Sequence, residues 1–253
     1  MQSIILQEKQ TLVNFFANAQ NIGIIVGASG NLVDSQASAL SLFLSLKNSG
    51  KSAQVVSLVD PTVEVSHLVG IDQVGKEFSG NAKVLTISVP YREGEIDKVS
   101  YNIEKDRLNV NLFAQAHGVS FSEKDIQYIR KGDSPSSIIC IGVSSKDELS
   151  RAVELKEGIK ILQIDTFANE RFGDIAIIDS SYSSLSEIVT ELLYELSFPV
   201  DLDTAQNLLN GIISATQNFT TPKTSMFAFQ SAGLLMQNGA QRRGLSTVSV
   251  QEK

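Results

Sequence analysis

An apolar run followed at once by a loop of small residues is the feature that most restricts the fold of this sequence. Residues 22–26 (IGIIV) predict a short buried strand, and the loop GASG follows at residues 27–30. A helix is predicted over residues 35–47, with Asp34 as its N-cap, and another strand over residues 54–58. This order of strand, loop, helix and strand is typical of a parallel sheet with helical crossovers.

Later segments extend this pattern and add an antiparallel insertion. Residues 98–103 and 108–113 alternate between apolar and polar side chains around the sequence EKDR, which predicts a β-hairpin. Apolar stripes of helical period mark the last third of the chain. The other predicted elements are strands over residues 84–89, 136–143, 159–164 and 175–178, and helices over residues 146–155, 183–196, 203–214 and 224–238.

We therefore predict an α/β fold with a doubly wound, mainly parallel sheet, a β-hairpin insertion and a C-terminal helical cap. Residues 1–243 are expected to form one domain, because no repeat or low-complexity segment divides them. Residues 244–253 are polar and are expected to form a flexible tail.

Charge and cysteine content restrict the possible partners and the compartment. A net charge of −7 argues against binding of extended nucleic acid, although it is compatible with a small phosphate pocket. The single cysteine, Cys140, lies in an apolar run and is predicted to be a buried thiol. No apolar run is long enough to span a bilayer, and no signal peptide is evident at the start. We expect a cytoplasmic protein with no membrane contact.

Motifs in the last third resemble those of a known enzyme family. Residues 172–179 read FGDIAIID, residues 183–189 read SSLSEIV, and residues 211–219 read GIISATQNF. A helical segment that ends in Gly-Ala at residues 239–240 follows them. In this order the motifs resemble DHH phosphoesterases, in the branch that contains oligoribonucleases and phosphoadenosine-phosphate phosphatases. The resemblance covers roughly residues 10 to 243.

The resemblance implies a site for two manganese ions, because two divalent cations activate water and hold a phosphate in such enzymes. Only two of the family's carboxylate ligands are retained, Asp34 and Asp165. Neither His67 nor His117 falls on a ligand position. The other ligand positions fall on Ala28, Leu32, Gly142, Thr166, Phe167 and Ala215. Since leucine and phenylalanine cannot coordinate a metal, we expect no bound metal or other cofactor and no catalytic residues.

Two groups of candidate site residues remain, each with a simpler structural interpretation. The first is a vestigial pocket at the carboxyl ends of the strands, and the second is a loop whose N–H groups bind an anion. Alternatively, Asp34 only caps its own helix, Asp165 only binds its own turn, and the loop is only a tight connection. The pocket candidates are Asp34, Ser38, Asp165, Asn169 and Thr216, and the loop candidates are Gly27, Ser29, Gly30 and Asn31.

The function that we expect is that of a non-catalytic DHH-like protein that acts by binding. A small phosphorylated ligand such as a nucleotide, or a protein partner in a homo- or hetero-oligomer with a DHH paralogue, would fit. The family's C-terminal substrate-binding domain, of the DHHA1 type, is expected to be absent. One alternative is a divergent phosphoesterase for nucleotides or short oligonucleotides that uses Mn or Mg on Asp34 and Asp165. Another is a structural subunit of a larger assembly.

Overall fold

The computed structural model describes residues 3–78, 84–92, 95–115, 122–131, 135–151, 153 and 158–242. The chain divides into two compact units, one comprising Met1–Phe78 with Ser134–Lys253 and the other Ser79–Asp133. The expected domain end at residue 243 and the tail at residues 244–253 lie outside the described residues.

The first unit contains both helices and strands, with three consecutive helices last among its described residues. The second unit contains only strands and one short 3-10 helix among its described residues. The strands are β1 (Asn21–Val26), β2 (Ser52–Ser57), β3 (Val74–Gly75), β4 (Val84–Ser88), β5 (Ile96–Glu104), β6 (Arg107–Ala114), β7 (Gln127–Lys131), β8 (Ser137–Ile141), β9 (Lys160–Asp165) and β10 (Ile175–Ile178). The helices are α1 (Ile4–Gln7), α2 (Lys9–Asn18), α3 (Leu32–Asn48), α4 (Lys146–Ser150), α5 (Leu185–Glu195), α6 (Leu202–Ala215) and α7 (Met226–Gln237). Short 3-10 helices lie at Val63–Val65, Ile71–Gln73 and Glu123–Asp125.

The sheet of the first unit has six strands in the order β10-β9-β8-β1-β2-β3, and every pair in it is parallel. The prediction of a mainly parallel sheet is therefore confirmed. From β1 the chain first builds outward through β2 and β3, and later returns to the other side of β1 with β8. This reversal beside β1 creates the switch point at which open α/β sheets bind ligands, just beyond the carboxyl ends of the strands.

Both faces of this sheet are covered, as a continuous apolar strand requires. Successive side chains of β1 point to opposite faces, so Ile24 and Val26 pack into the larger core with α3, α5 and α6. Ile25 packs on the other face, where Cys140 of β8 and Leu149 of α4 join it. The predicted burial of Cys140 is confirmed, and burial raises the pKa of its thiol. No helix in the described ranges is both long and apolar enough to cross a membrane.

The predicted hairpin is confirmed in the second unit, where β5 pairs with β6 in antiparallel register. Lys105 and Asp106 form its turn with φ of 47° and 62°, the left-handed conformations that a two-residue hairpin turn demands. The predicted strand β4 has a partner that sequence reasoning missed. It pairs with β7, and that pair is also antiparallel.

Candidate functional site

Asp34 does not cap its own helix, which corrects the prediction. Asn31 is the N-cap of α3, and its side chain accepts a hydrogen bond from the Asp34 backbone N–H at 3.0 Å. The Asp34 carboxylate instead points at the start of α5. It accepts the Leu185 N–H at 2.7 Å, the Ser186 N–H at 2.9 Å and the Ser186 hydroxyl at 2.6 Å. The Asp34 side chain of α3 therefore caps the N-terminus of α5.

The start of α5 needs such an acceptor, because the first N–H groups of a helix have no partner within it. Ser184 is the N-cap of α5 and accepts the Glu187 N–H, which leaves the N–H groups of Leu185 and Ser186 to be satisfied from outside. A negative charge beside a helix N-terminus is also favoured by the helix dipole. Asp34 is only 3% exposed, so water does not compete for these donors.

Burial sets the ionisation of Asp34. It raises the pKa of the carboxyl from 3.8 to about 7, outweighing the three hydrogen bonds that stabilise the charged form. The nearby Glu187 carboxylate raises that pKa slightly further. Asp34 is therefore partly protonated near neutral pH.

This raised pKa leads to an expected pH dependence of stability. Below about pH 4 the Asp34 carboxyl is protonated in both the folded and the unfolded chain, so its full contribution is present. As the pH rises toward 7, only the unfolded chain ionises, and the free energy of unfolding falls relative to Asp34→Asn, which does not titrate. At about 1.4 kcal/mol per unit, the difference between the two proteins should shrink by about 2 kcal/mol from pH 5 to pH 7. Urea unfolding of the wild type and Asp34→Asn at several pH values measures this difference. A difference that stays constant or grows with pH would contradict the raised pKa.

Ser38 belongs to the same contact between α3 and α5. Its hydroxyl lies 3.0 Å from the hydroxyl of Ser186, and both residues are fully buried. The buried Glu187 extends this polar cluster, since its carboxylate accepts hydrogen bonds from Ser183, Ser184 and Ser225. Sequence reasoning missed Glu187, although Ser184 and Glu187 stand at the spacing of a capping box.

Asp165 lies at the end of β9 and binds its own turn, as the simpler interpretation held. Its Oδ1 accepts the Phe167 N–H at 3.0 Å, and the Ser29 hydroxyl lies 3.5 Å from its Oδ2. The residue is 4% exposed, and burial raises the pKa of its carboxyl. Asp34 contacts the start of α5 and Asp165 contacts its own turn, so the two retained carboxylates serve separate structural contacts.

The loop after β1 directs most of its N–H groups at the protein itself. The Gly27 N–H donates to the Ile141 carbonyl at 2.9 Å, and both the N–H and the hydroxyl of Ser29 donate to the Gly142 carbonyl. A Cβ on Gly27 would lie 2.0 Å from that same Gly142 oxygen, so only glycine fits. Gly30 has a left-handed φ of 80° and open space around it.

The Ala28 N–H is also taken, and its acceptor is an anion. It donates to Oε1 of Glu148 at 2.7 Å, while Oε2 accepts the N–H of Ser144 at 2.9 Å and its hydroxyl at 3.1 Å. The Glu148 carboxylate therefore already occupies the position beside Ala28 where the loop would hold an external anion.

A cavity of about 700 Å³ opens beyond the carboxyl ends of β1 and β2. Two cationic side chains reach it, Arg151 and Lys76, and the Lys76 ammonium forms an exposed ion pair with Asp60 at 2.7 Å. Of the predicted site residues, only Ser29 lines this cavity. The other residues that line it are Ala28, Ser57, Leu58, Asp60, Ser144, Ser145 and Glu148.

The remaining predicted residues do not join this cavity. Asn31 caps α3 and also accepts a hydrogen bond from the Ser214 hydroxyl at 3.1 Å. Thr216 is fully buried, donates to the Ile212 carbonyl and accepts the N–H of Phe219, so it closes the last turn of α6. Asn169 is exposed.

The described residues do not fit the two-manganese centre of the family. No group of three or more His, Cys, Asp or Glu side chains within them could hold a metal ion. Both oxygens of Asp34 accept hydrogen bonds from α5, and Leu32 and Phe167 offer no donor atom in their side chains. His67 is exposed, and His117 lies outside the described residues.

Comparison with known structures supports the fold, whereas comparison with known sequence families does not identify a family. No model of a known protein family matches the sequence. The chain is 34% identical over 73 residues to the uncharacterized protein MG371 of Mycoplasma genitalium. The aligned segment covers 29% of this chain and 22% of that protein. A putative family II inorganic pyrophosphatase of Methanococcus jannaschii aligns with 42% of this chain and 38% of its own chain, at 22% identity. The TM-score is only 0.33, which is too low to establish a shared fold.

An exopolyphosphatase-related protein of Bacteroides fragilis gives the stronger structural match. It aligns with 92% of this chain at a TM-score of 0.62 and 15% identity. The chain spans 58% of the length of that protein. At this identity the match establishes the fold alone: the chain has a mixed α/β fold with a mainly parallel sheet, similar to that of an exopolyphosphatase-related protein.

Proposed function

We propose that this chain is a catalytically silent DHH-like protein that acts by binding. The observation that carries the proposal is the position of Asp34, whose carboxylate caps α5 and is almost wholly buried. Two-metal hydrolysis needs several carboxylate and imidazole ligands around one space. Here one retained carboxylate is used as a helix cap and the other, Asp165, binds its own turn.

The cavity beyond β1 and β2 supports a small phosphorylated ligand as the bound molecule. Arg151 supplies a guanidinium, which suits phosphate oxygens because its donors form a fixed fork. The Ser145 side chain adds a hydroxyl group to the lining, whereas the Ser57 hydroxyl already donates to the Val59 carbonyl at 2.7 Å. The cavity also contains Asp60 and Glu148, so a compact mononucleotide fits better than a long polyanion.

The test combines binding and turnover in one experiment. We expect phosphoadenosine phosphate, added with manganese, to bind the full chain without release of phosphate. Affinity should fall by roughly ten-fold in Arg151→Ala, since a charge-assisted hydrogen bond contributes about 1.5–3 kcal/mol. Titration calorimetry measures the binding, and a phosphate assay measures the turnover. The matched control is Arg92→Ala, an exposed arginine in the other unit, which should bind like the wild type.

Two outcomes would contradict the proposal. Robust phosphate release that is lost in Asp165→Asn would support the divergent metal-dependent hydrolase instead, as would stoichiometric manganese or magnesium in the purified protein. Absence of binding to phosphoadenosine phosphate, together with co-purification of the chain in a larger assembly, would favour the structural subunit.

A further inference from the structure

One face of the β5–β6 hairpin is apolar from its open end to its turn. Side chains alternate between the two faces of a strand, so Val99, Tyr101 and Ile103 of β5 share one face with their partners on β6. Tyr101 and Ile103 are each 75% exposed. The cross-strand pairs on this face, which we call the apolar hairpin face, are Val99 with Leu112, Tyr101 with Val110 and Ile103 with Leu108.

The opposite face of the hairpin is mainly polar, with Phe113, which pairs with Lys98, as its large apolar side chain. Asn102 and Asn111 lie on it and share a hydrogen bond of 3.0 Å, and Ser100 and Asn109 lie beside them. A two-stranded hairpin is at best marginally stable in water without a covered hydrophobic face. A contiguous exposed apolar patch of this kind marks an interaction site.

We infer that the apolar hairpin face is a dimer interface, on which two copies of this chain pack their hairpins face to face about a two-fold axis. The arrangement is isologous, so each copy contributes the same patch. The Tyr101–Val110 pair lies midway along the face and would therefore lie next to the axis. Two such hairpins together form a small sandwich in which both apolar faces are covered.

Charge favours a second copy as the occupant. The whole chain carries a net charge of −7, so most of its surface repels another copy. The hairpin is neutral, because its three acidic and three basic residues cancel. The turn of one copy would lie against the open end of the other, and each end carries equal numbers of both signs. The charged residues of the hairpin are Asp97, Lys98, Glu104, Lys105, Asp106 and Arg107.

The exposed area is sufficient for such a dimer. Five side chains of the face are between 49% and 75% exposed. Together they offer roughly 600 Å² per copy, or about 1,200 Å² for the pair, which is the lower limit of a specific interface. Tyrosine is a frequent energetic centre of interfaces, and Tyr101 lies at the centre of this one.

The first test compares the same substitution on the two faces of β5. Sedimentation velocity of the full chain should show a dimer at tens of micromolar. Tyr101→Lys should weaken dimerisation by roughly ten-fold or more, because it buries a charge at the interface. Asn102→Lys places the same charge on the polar face, one residue away, and should leave the dimer intact. A strictly monomeric wild type, or equal effects of both variants, would overturn the proposal.

A second measurement does not depend on a disruptive variant. Val110→Cys places a thiol next to the expected two-fold axis, so mild oxidation should give a disulfide-linked dimer. Asn109→Cys, on the polar face, should not crosslink under the same conditions. The native Cys140 is buried and does not interfere. Crosslinking of Asn109→Cys without crosslinking of Val110→Cys would place the contact on the other face and refute the inference.

Discussion

Asp34→Ala is expected to lower the free energy of unfolding by about 4 kcal/mol at pH 4, where the raised pKa of the Asp34 carboxyl does not yet oppose folding. Alanine leaves the backbone N–H groups of Leu185 and Ser186 without an acceptor where almost no solvent reaches. Each buried donor that loses its partner costs about 1–3 kcal/mol, and the loss of a helix cap adds to that cost. The Ser186 hydroxyl can still form a hydrogen bond with the Ser38 hydroxyl, so the loss of its bond to Asp34 adds less to this cost.

Denaturant unfolding followed by circular dichroism measures this effect. Asp203→Ala is the matched control, because Asp203 also lies in the first turn of a helix but is exposed. Its removal should cost less than about 1 kcal/mol, the contribution of a charge near an exposed helix end.

The sign of the Asp34→Ala effect distinguishes a structural role from a vestigial ligand role. A carboxyl kept only as a former metal ligand satisfies no buried donor of the protein, and its burial carries a cost. Removing such a group from the metal-free protein would leave stability unchanged or increase it. An unchanged or higher midpoint for Asp34→Ala would therefore contradict the helix-cap role on which the proposed function rests.

The fold could be predicted from local patterns, because its main elements have clear periodicity. The apolar run before Gly27 identified β1, and alternation around Lys105 and Asp106 identified the hairpin. The strand β7 was missed, and so was its pairing with β4. That pairing spans a long stretch of chain, and no local signal selects the partner.

The role of Asp34 could not be predicted for the same physical reason. Its partners Leu185 and Ser186 lie 151 and 152 residues away along the chain. From the sequence, a carboxylate at the start of a predicted helix is most simply its N-cap. Only the packing of α3 against α5 shows that Asp34 caps α5, while Asn31 is the N-cap of α3.

Apart from Ser29, the residues of the cavity were not predicted from the sequence. Lys76 follows β3, and Arg151 follows α4, so nothing near either residue links the two. They line one cavity because β3 and β8 are parallel strands of one sheet, separated by β1 and β2, so the segments after them lie at the same edge. The family resemblance directed attention to Asp34 and Asp165 instead, because it carries over metal ligands and not the lining of a different cavity.

Two glycines in the middle of helices should respond to alanine in opposite directions. In a helix interior, glycine is less favourable than alanine by about 1 kcal/mol, so propensity alone favours the change. A Cβ on Gly211 of α6 would lie 2.0 Å from the Ser186 hydroxyl oxygen and 3.1 Å from Oδ1 of Asp34. A Cβ on Gly233 of α7 would meet nothing within 4 Å.

We expect Gly211→Ala to lower the free energy of unfolding by about 3 kcal/mol, because α6 must move away from α3 and α5 and overpacking outweighs the gain in propensity. Gly233→Ala should raise it by up to about 1 kcal/mol. Adding Ser186→Ala to Gly211→Ala removes the closest contact and should recover only part of the loss, since Asp34 still lies 3.1 Å away. Denaturant midpoints of the wild type, Gly211→Ala, Gly233→Ala and the double variant measure these changes in stability. If Gly211→Ala were as stable as Gly233→Ala, the close packing of α6 on the Asp34 cap would be wrong.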